Sequence, residues 1–245
     1  MGNPDKYAVI SDVHANAEAL RAVLRDIKSK LIRDVFFLGD AVGYGPDPNE
    51  CVEILDSECQ FLIAGNHDWA VLGYAGTEAF NENARLVIEW TRRLLLPESR
   101  RILETALLKS QISEKNITLV HAAPHDPAKW SYIISKTEAE RNFESMETDL
   151  CFIGHSHRPG IIEMDVSFGL HMHKEEISYK EGHKFIVNTG SVGQPRDGDP
   201  RACYALVDGG KVRLVRVEYD IRSAQKKMED ACLPSSLIER LSYGL

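Results

Sequence analysis

A chain of 245 residues, 43% of them hydrophobic and 27% charged, has material for one large domain with a substantial core. A formal net charge of −8 argues against broad attraction to nucleic-acid backbones or anionic membranes, so no extended nucleic-acid surface is expected, and an anionic substrate needs locally concentrated positive charge. No apolar run is long enough to cross a bilayer, and the opening MGNPDKYAVISD lacks an apolar signal core, so no membrane partner and a cytoplasmic location are expected.

The chain opens with a strand, Tyr7 to Ser11, followed by a helix whose Leu20, Val23, Leu24, Ile27 and Leu31 keep the spacing of one face. DVFFLGD and QFLIAGNHD read as further buried strands, with PDPNECVEIL helical between them. Strands alternating with helices predict an α/β domain with a parallel sheet, in which functional groups gather at the carboxyl ends of the strands. From about 77 to 110 the sequence turns Arg- and Leu-rich and helical in pattern, broken at Pro97, which suits the first turn of a second helix. It reads as a helical insertion that either roofs the site or packs on the sheet flank. ITLVHAAP and DLCFIGHSHRP resume the strands around a helix at about Thr137 to Met146. GIIEMDV, HKFIVNTGS, ACYALVD and KVRLVRVEY follow as shorter β segments, with Gly209-Gly210 a hairpin turn. Amphipathic helices close the chain at about 221–243. There is no repeat, low-complexity tract or linker, so residues 1–245 are expected to form a single domain. The five scattered cysteines contain no C-x-x-C pair and read as small buried hydrophobes, not as a disulfide framework.

In FIGHSHRP, Phe152 to Pro159, two histidines flank one serine. On extended backbone, residues two apart project from one face, so His155 and His157 either grip a shared metal ion or end a strand as solvated imidazoles. The surroundings favour metal. Potential ligands recur at five predicted strand ends: Asp12-Val13-His14, Gly39-Asp40, Gly65-Asn66-His67-Asp68, His121, and Gly154-His155-Ser156-His157. Five of the nine histidines fall in these blocks.

This ordered set, D-x-H, G-D, G-N-H-D, H and G-H-x-H, resembles the calcineurin-like metallophosphoesterase superfamily from about residue 6 to 208. NTGSVGQPRDGDPRACYALVD and LPSSLIERLSYG are similar to a branch of small bacterial and archaeal phosphoesterases. The resemblance implies an αββα sandwich, two mixed β-sheets flanked by helices, with a two-metal site at its top. It implies that Asp12, His14, Asp40 and His157 hold one ion and that Asp40, Asn66, His121 and His155 hold the other, Asp40 bridging. Imidazole, carboxylate and amide donors without thiolate suit manganese, iron, cobalt, nickel or zinc, as two divalent or mixed-valence ions. Two divalent ions carry more charge than Asp12 and Asp40 return, so an acidic protein can still attract phosphate. The implied reaction is hydrolysis of a small phosphate ester by metal-bound hydroxide, with ions roughly 3.5–4 Å apart. His67 would face the substrate and protonate, or stabilise, the leaving oxygen. Asp68 would either orient His67 or cap the helix that follows.

The chain departs from the pattern of related protein phosphatases at GDAVGYG, where Gly43 replaces an aspartate and Tyr44 a phosphate-gripping arginine. That speaks against protein phosphatase activity and for phosphodiesters, which need bidentate recognition of a dianion less than monoesters do. Nucleotide pyrophosphates, diadenosine polyphosphates and phosphomonoesters are the alternative substrates, and a non-catalytic scaffold is the alternative class. Arg196 in GQPRDG either restores some of that phosphate grip or, as the preferred reading, is a loop residue paired with Asp197. Asn188 and Ser191 are candidate wall residues, Gly190 a turn residue, and His125 a candidate for the rim. Arg85, Trp90 and Arg92 of the insertion could meet the remainder of a substrate. His171 and His173 read as an exposed β edge with no carboxylate near.

Overall fold

In the computed structural model, which describes residues 6–245, twelve strands build two six-stranded mixed sheets. The first sheet starts from β1 (Tyr7–Ile10), β2 (Asp34–Phe37) and β3 (Phe61–Leu62), paired in parallel as the βαβ alternation requires. It continues antiparallel through β11 (Ala202–Asp208), β12 (Lys211–Val217) and β9 (Glu176–Ser178). The second sheet runs β4 (Lys109–Ile112), β5 (Ile117–Val120), β6 (Leu150–Ile153), β10 (Lys184–Asn188), β7 (Gly160–Met164) and β8 (Leu170–His173). Its β5, β6 and β10 are parallel, and its outer pairs are antiparallel.

Side-chain alternation explains the layering. Tyr7 and Val9 of β1 point between the sheets, where they meet Phe36, Leu119, Phe152, Phe185 and Val187. Ala8 and Ile10, one residue out of phase, face the opposite way onto α1 (Ala17–Ser29) and α2 (Pro48–Glu58). On the far side, Val120, Cys151, Ile153 and Ile186 pack on Phe143 and Ala139 of α6 (Lys136–Glu144). Helix, sheet, sheet and helix therefore form four layers, as the family resemblance implies. Strands buried on both faces anchor the loops at their carboxyl ends.

Three details depart from the sequence expectations. Helix α1 stops at Ser29, and Leu31 is 83% exposed with φ 60° instead of completing the apolar face. The insertion is helical only in α4 (Glu82–Leu94) and α5 (Pro97–Glu104), with α3 (Asn66–Leu72) before it, because residues 109–112 join the second sheet as β4. Cys232 is exposed, whereas Cys51, Cys151 and Cys203 are buried. The closing helices, α7 (Ile221–Asp230) and α8 (Ser235–Arg240), pack with α4 against Tyr44 through Met228, Leu237 and Leu241.

Candidate metal centre

The loops that follow β1, β2, β3, β5 and β6 converge at one end of the sandwich and are stitched together by their own backbones. Asp12 N donates to Gly39 O at 3.0 Å, His14 N to Asp40 O at 2.9 Å, and Gly154 N to His121 O at 2.8 Å. Five of the seven predicted ligands have left-handed backbone: Asp12 (φ 54°), His14 (48°), Asp40 (57°), His155 (64°) and His157 (57°). Non-glycine residues adopt this conformation at a cost of about 1–2 kcal/mol each, and such clusters mark functional sites. They also replace the expectation of an extended GHSH segment. Strand β6 ends at Ile153, and two left-handed residues then turn the imidazoles into different clusters.

One cluster gathers Asp12, His14, Asp40 and His157, the other Asp40, His121 and His155; within each, one ligand atom per residue lies within 4.8 Å of the others. Asn66 joins the second through its Oδ1, 3.2 Å from His121 Nε2. Asp40 Oδ2 stands 3.6 Å from His14 Nε2 and 3.4 Å from His121 Nε2, between the clusters. Glycines permit the fit: a Cβ on Gly65 would stand 2.7 Å from Asp40 Cγ, and one on Gly154 2.7 Å from Ser11 Cβ.

The hydrogen-bond pattern shows what the clusters are made to hold. His14 Nδ1 donates to Val42 O (3.1 Å) and His157 Nδ1 to Gln194 O (2.6 Å). Both Nε2 atoms therefore carry lone pairs, yet they face each other at 3.1 Å. Asp12 Oδ1 lies 3.2 Å from His157 Nε2, buried and without a hydrogen-bond donor. His121 is anchored in the same way, its Nδ1 donating to Leu38 O at 2.8 Å. In the first cluster, acceptors converging without hydrogens between them suit a cation, and in both clusters the carbonyl behind a ring fixes its orientation.

Charge follows the same logic. Burial lowers the pKa of His14 and His157 and takes His67 to about 4 and His155 to about 3, so these rings are neutral near pH 7. Burial works against charge on His121 too, but Asp40 outweighs it and lifts that ring to about 9. Burial likewise opposes ionising Asp12 and Asp40, yet the surrounding histidines hold both below the usual carboxylate range.

His67 is buried beside the first cluster, its ring 4.8 Å from that of His14 and 4.6 Å from that of Tyr44. Its Nδ1 is buried without a partner, and a Cβ on Gly43 would stand 2.5 Å from that atom. Glycine at 43 thus makes room for the ring. Asp68 turns away from the imidazole. Its carboxylate accepts from Asp40 N and Gly65 N at 2.9 Å and from Val42 N at 3.3 Å, capping α3 and tying two loops together. Burial, then the charge of Asp40, pushes its carboxyl up to about 7.

The sequence reading of Arg196 needs correction. Asp197 pairs with Arg216 instead, while Arg196 lines a cavity of about 310 Å³ together with Asp40, Asn66, His67, His155 and His157. Tyr44 lines the same cavity, and its ring lies 5.4 Å beneath the Arg196 guanidinium. Asn188 fastens the GHSH loop through Gly154 O (2.7 Å) and Ser156 Oγ (2.9 Å), and Ser191 Oγ donates to Asp12 O at 2.8 Å. Gly190 has φ 77°. Arg92 is spent on Ala70 O and Glu89, and Trp90 packs against the closing helices. His171 and His173 do lie on an edge strand, but carboxylates are at hand: Asp165 at 2.7 Å and Glu163 at 2.5 Å.

Sequence reasoning missed the outer wall. The loop between β5 and α6 brings Lys129, Trp130 and Tyr132 over the cavity, and Phe80 faces them from the turn before α4. Tyr132 stacks on His155 with ring centroids 4.3 Å apart, and Trp130 meets His121 edge-on at 5.8 Å. Trp130 and Tyr132 follow the turn-rich HAAPHDPAK, a signal of a loop bearing aromatics but not of its direction.

Residues 6–211 match the family model of the calcineurin-like phosphoesterase superfamily domain. An uncharacterized protein of Methanocaldococcus jannaschii is 41% identical over 243 residues, covering 97% of both chains. The crystal structure of a metallophosphoesterase from Sphaerobacter thermophilus is 41% identical, with a TM-score of 0.87, covering 99% of this chain and 100% of that one. A hypothetical protein from Pyrococcus horikoshii shares the fold at 23% identity and a TM-score of 0.77, covering 98% of both chains. Among the described residues no helix is long and apolar enough to cross a membrane.

Proposed function

The chain belongs to the calcineurin-like phosphoesterase superfamily, and from that premise we propose that it is a two-metal hydrolase of small phosphate esters. The observation that carries the reading is the pair of Nε2 lone pairs facing each other at 3.1 Å beside an orphaned Asp12 oxygen. A scaffold has no use for buried acceptors arranged in this way. Asp12, His14, Asp40 and His157 would hold one ion, and Asp40, Asn66, His121 and His155 the other. When bound, such ions supply Lewis acidity and acidify water for in-line attack on phosphorus.

The residues of the chain do the rest. Asp40, fixed by the His67 N–H on its Oδ1 at 2.9 Å, serves both clusters with its other oxygen. His67 borders the cavity and is assigned to the leaving oxygen, where its neutral ring stabilises developing charge by donating an N–H, a contribution typically worth about 10²–10³-fold. Trp130 and Tyr132 pack on the rings of His121 and His155 beside the second cluster and line the same cavity. The leaning toward diesters rested on the absence of a guanidinium at position 44; Arg196 stands over Tyr44, so esters with a free terminal phosphate come within the reading.

Elemental analysis of the purified protein, with hydrolysis of bis-p-nitrophenyl phosphate and p-nitrophenyl phosphate under manganese, iron, cobalt, nickel and zinc, tests the proposal. About two metal equivalents per chain and metal-dependent turnover are expected. A protein that takes up no transition metal, or that is loaded and cleaves neither ester, sinks it.

A further inference from the structure

Resting on the phosphoester reading, we infer that Arg196, seated on the ring of Tyr44, grips the terminal phosphoryl oxygens of the substrate and tilts the site toward phosphomonoesters. Three observations converge on this side chain. It faces the cavity bounded by Asp40, His67 and His157. No carboxylate lies within ion-pair distance of it among the described residues, since its neighbour Asp197 is taken by Arg216. It is also held in place: its Nη2 donates to Gln194 Oε1 at 2.8 Å, and its backbone N donates to His157 O at 3.2 Å.

Gln194 does two things at once. Its backbone carbonyl orients the His157 ring (2.6 Å) while its side chain orients the guanidinium (2.8 Å), so the cation keeps a fixed position relative to the first cluster. Nε is shut off from solvent with no acceptor, which leaves the Nη end of the fork to the cavity. Tyr44, left-handed at φ 60° and 6% exposed, is pinned under the closing helices and supplies the face on which the cation rests.

Electrostatics says what this cation is for. A guanidinium and two ion-binding clusters share one cavity of about 310 Å³. Once the clusters are loaded, like charges face each other until an anion sits among them. The identity of that anion follows from counting oxygens. A phosphomonoester dianion has three non-bridging oxygens; if two turn to the clusters, the third is free for Arg196. A diester has only two and presents a substituted ester oxygen in the third place, a poor acceptor for a guanidinium.

The test uses the metal-replete protein, metal content verified for each variant. Arg196→Gln keeps a donor for Gln194 while removing the charge, and Arg196→Lys keeps the charge without the fork. We expect Arg196→Gln to lower kcat/KM for p-nitrophenyl phosphate, and the calorimetric affinity for inorganic phosphate, each by about 10–100-fold. The fall for bis-p-nitrophenyl phosphate should be much smaller, and Arg196→Lys should recover part of the monoester loss. Equal falls for the two esters, or unchanged phosphate affinity at full metal content, overturn the assignment and leave the two-metal reading standing. Loss of metal in the wild-type protein would instead bring down the reading itself.

Discussion

Replacing Gly65 by alanine probes how tightly the loops are moulded around Asp40. The added methyl would overlap Asp40 Oδ1 and N and would stand 2.7 Å from Cγ, where ordinary contact begins at 3.4 Å. Because one of the overlapped atoms is backbone, a rotamer change cannot relieve the clash. The carboxylate and its loop must retreat by roughly 1 Å, and metal–ligand distances tolerate only about 0.2 Å. Overpacking of this kind typically costs about 1–3 kcal/mol, and the backbone overlap places this variant at the upper end. For a chain of this size that lowers the melting temperature by roughly 5–10 °C. Gly73→Ala is the control. Its φ of +83° strains an alanine, but nothing lies within 4 Å of the new methyl. Metal content by mass spectrometry, with thermal unfolding in chelator, separates the two effects. Gly65→Ala should lose at least one equivalent and Gly73→Ala none. If both retain full metal, or both lose it alike, the moulding argument is wrong.

Other expectations can be read from the same geometry. His121→Ala should lower metal content and turnover together, whereas His67→Ala should keep the metal and slow hydrolysis by about 10²–10³-fold; identical behaviour of the two variants would refute the division of roles. Chelation should lower the melting temperature by roughly 10 °C, since a ligand present at about 1,000 times its Kd contributes about 4 kcal/mol, and an unchanged melt would argue against resident ions. On β7, burial works to raise the pKa of Glu163, yet Lys180, His173 and His183 outweigh it and hold the carboxyl at about 2, against an ordinary 4.5. A folded value below the unfolded one means that this group stabilises the fold above pH 4.5 and loses that contribution as pH falls toward 2. Glu163→Gln should therefore destabilise at pH 7 by about 1 kcal/mol, because solvent screens the exposed Lys180 and the part-exposed His173, and urea titrations should show the gap to wild type narrowing at pH 3.5; a constant gap would contradict the assignment.

Apolar periodicity carried the parts of the fold that are buried on both sides. β1, β2, β5, β6 and β10 are runs of Val, Ile, Leu and Phe, and their carboxyl ends announced the converging loops. Strands β4 and β9 escaped because KSQI and EIS are largely polar edge segments whose strand character comes from a neighbour's backbone, whereas β8 showed itself through the alternation of His171 and His173. The direction of His155 and His157 was beyond a strand-based rule, because left-handed φ values are invisible in residue type outside glycine. Arg196 was misread for a related reason. Adjacency in sequence suggested Asp197, but the competing Arg216 arrives from β12 across a chain reversal. Side-chain partners across such reversals are set by packing, which local pattern does not encode.

The two clusters draw on both halves of the sandwich. Asp12, His14 and Asp40 follow strands of the first sheet, while His121, His155 and His157 follow strands of the second. An ion held in either cluster, as proposed, would therefore act as a rivet through the seam between the sheets as well as a reagent. Its loss would loosen that seam at its upper rim first, tying the proposed activity to the mechanical closure of the sandwich.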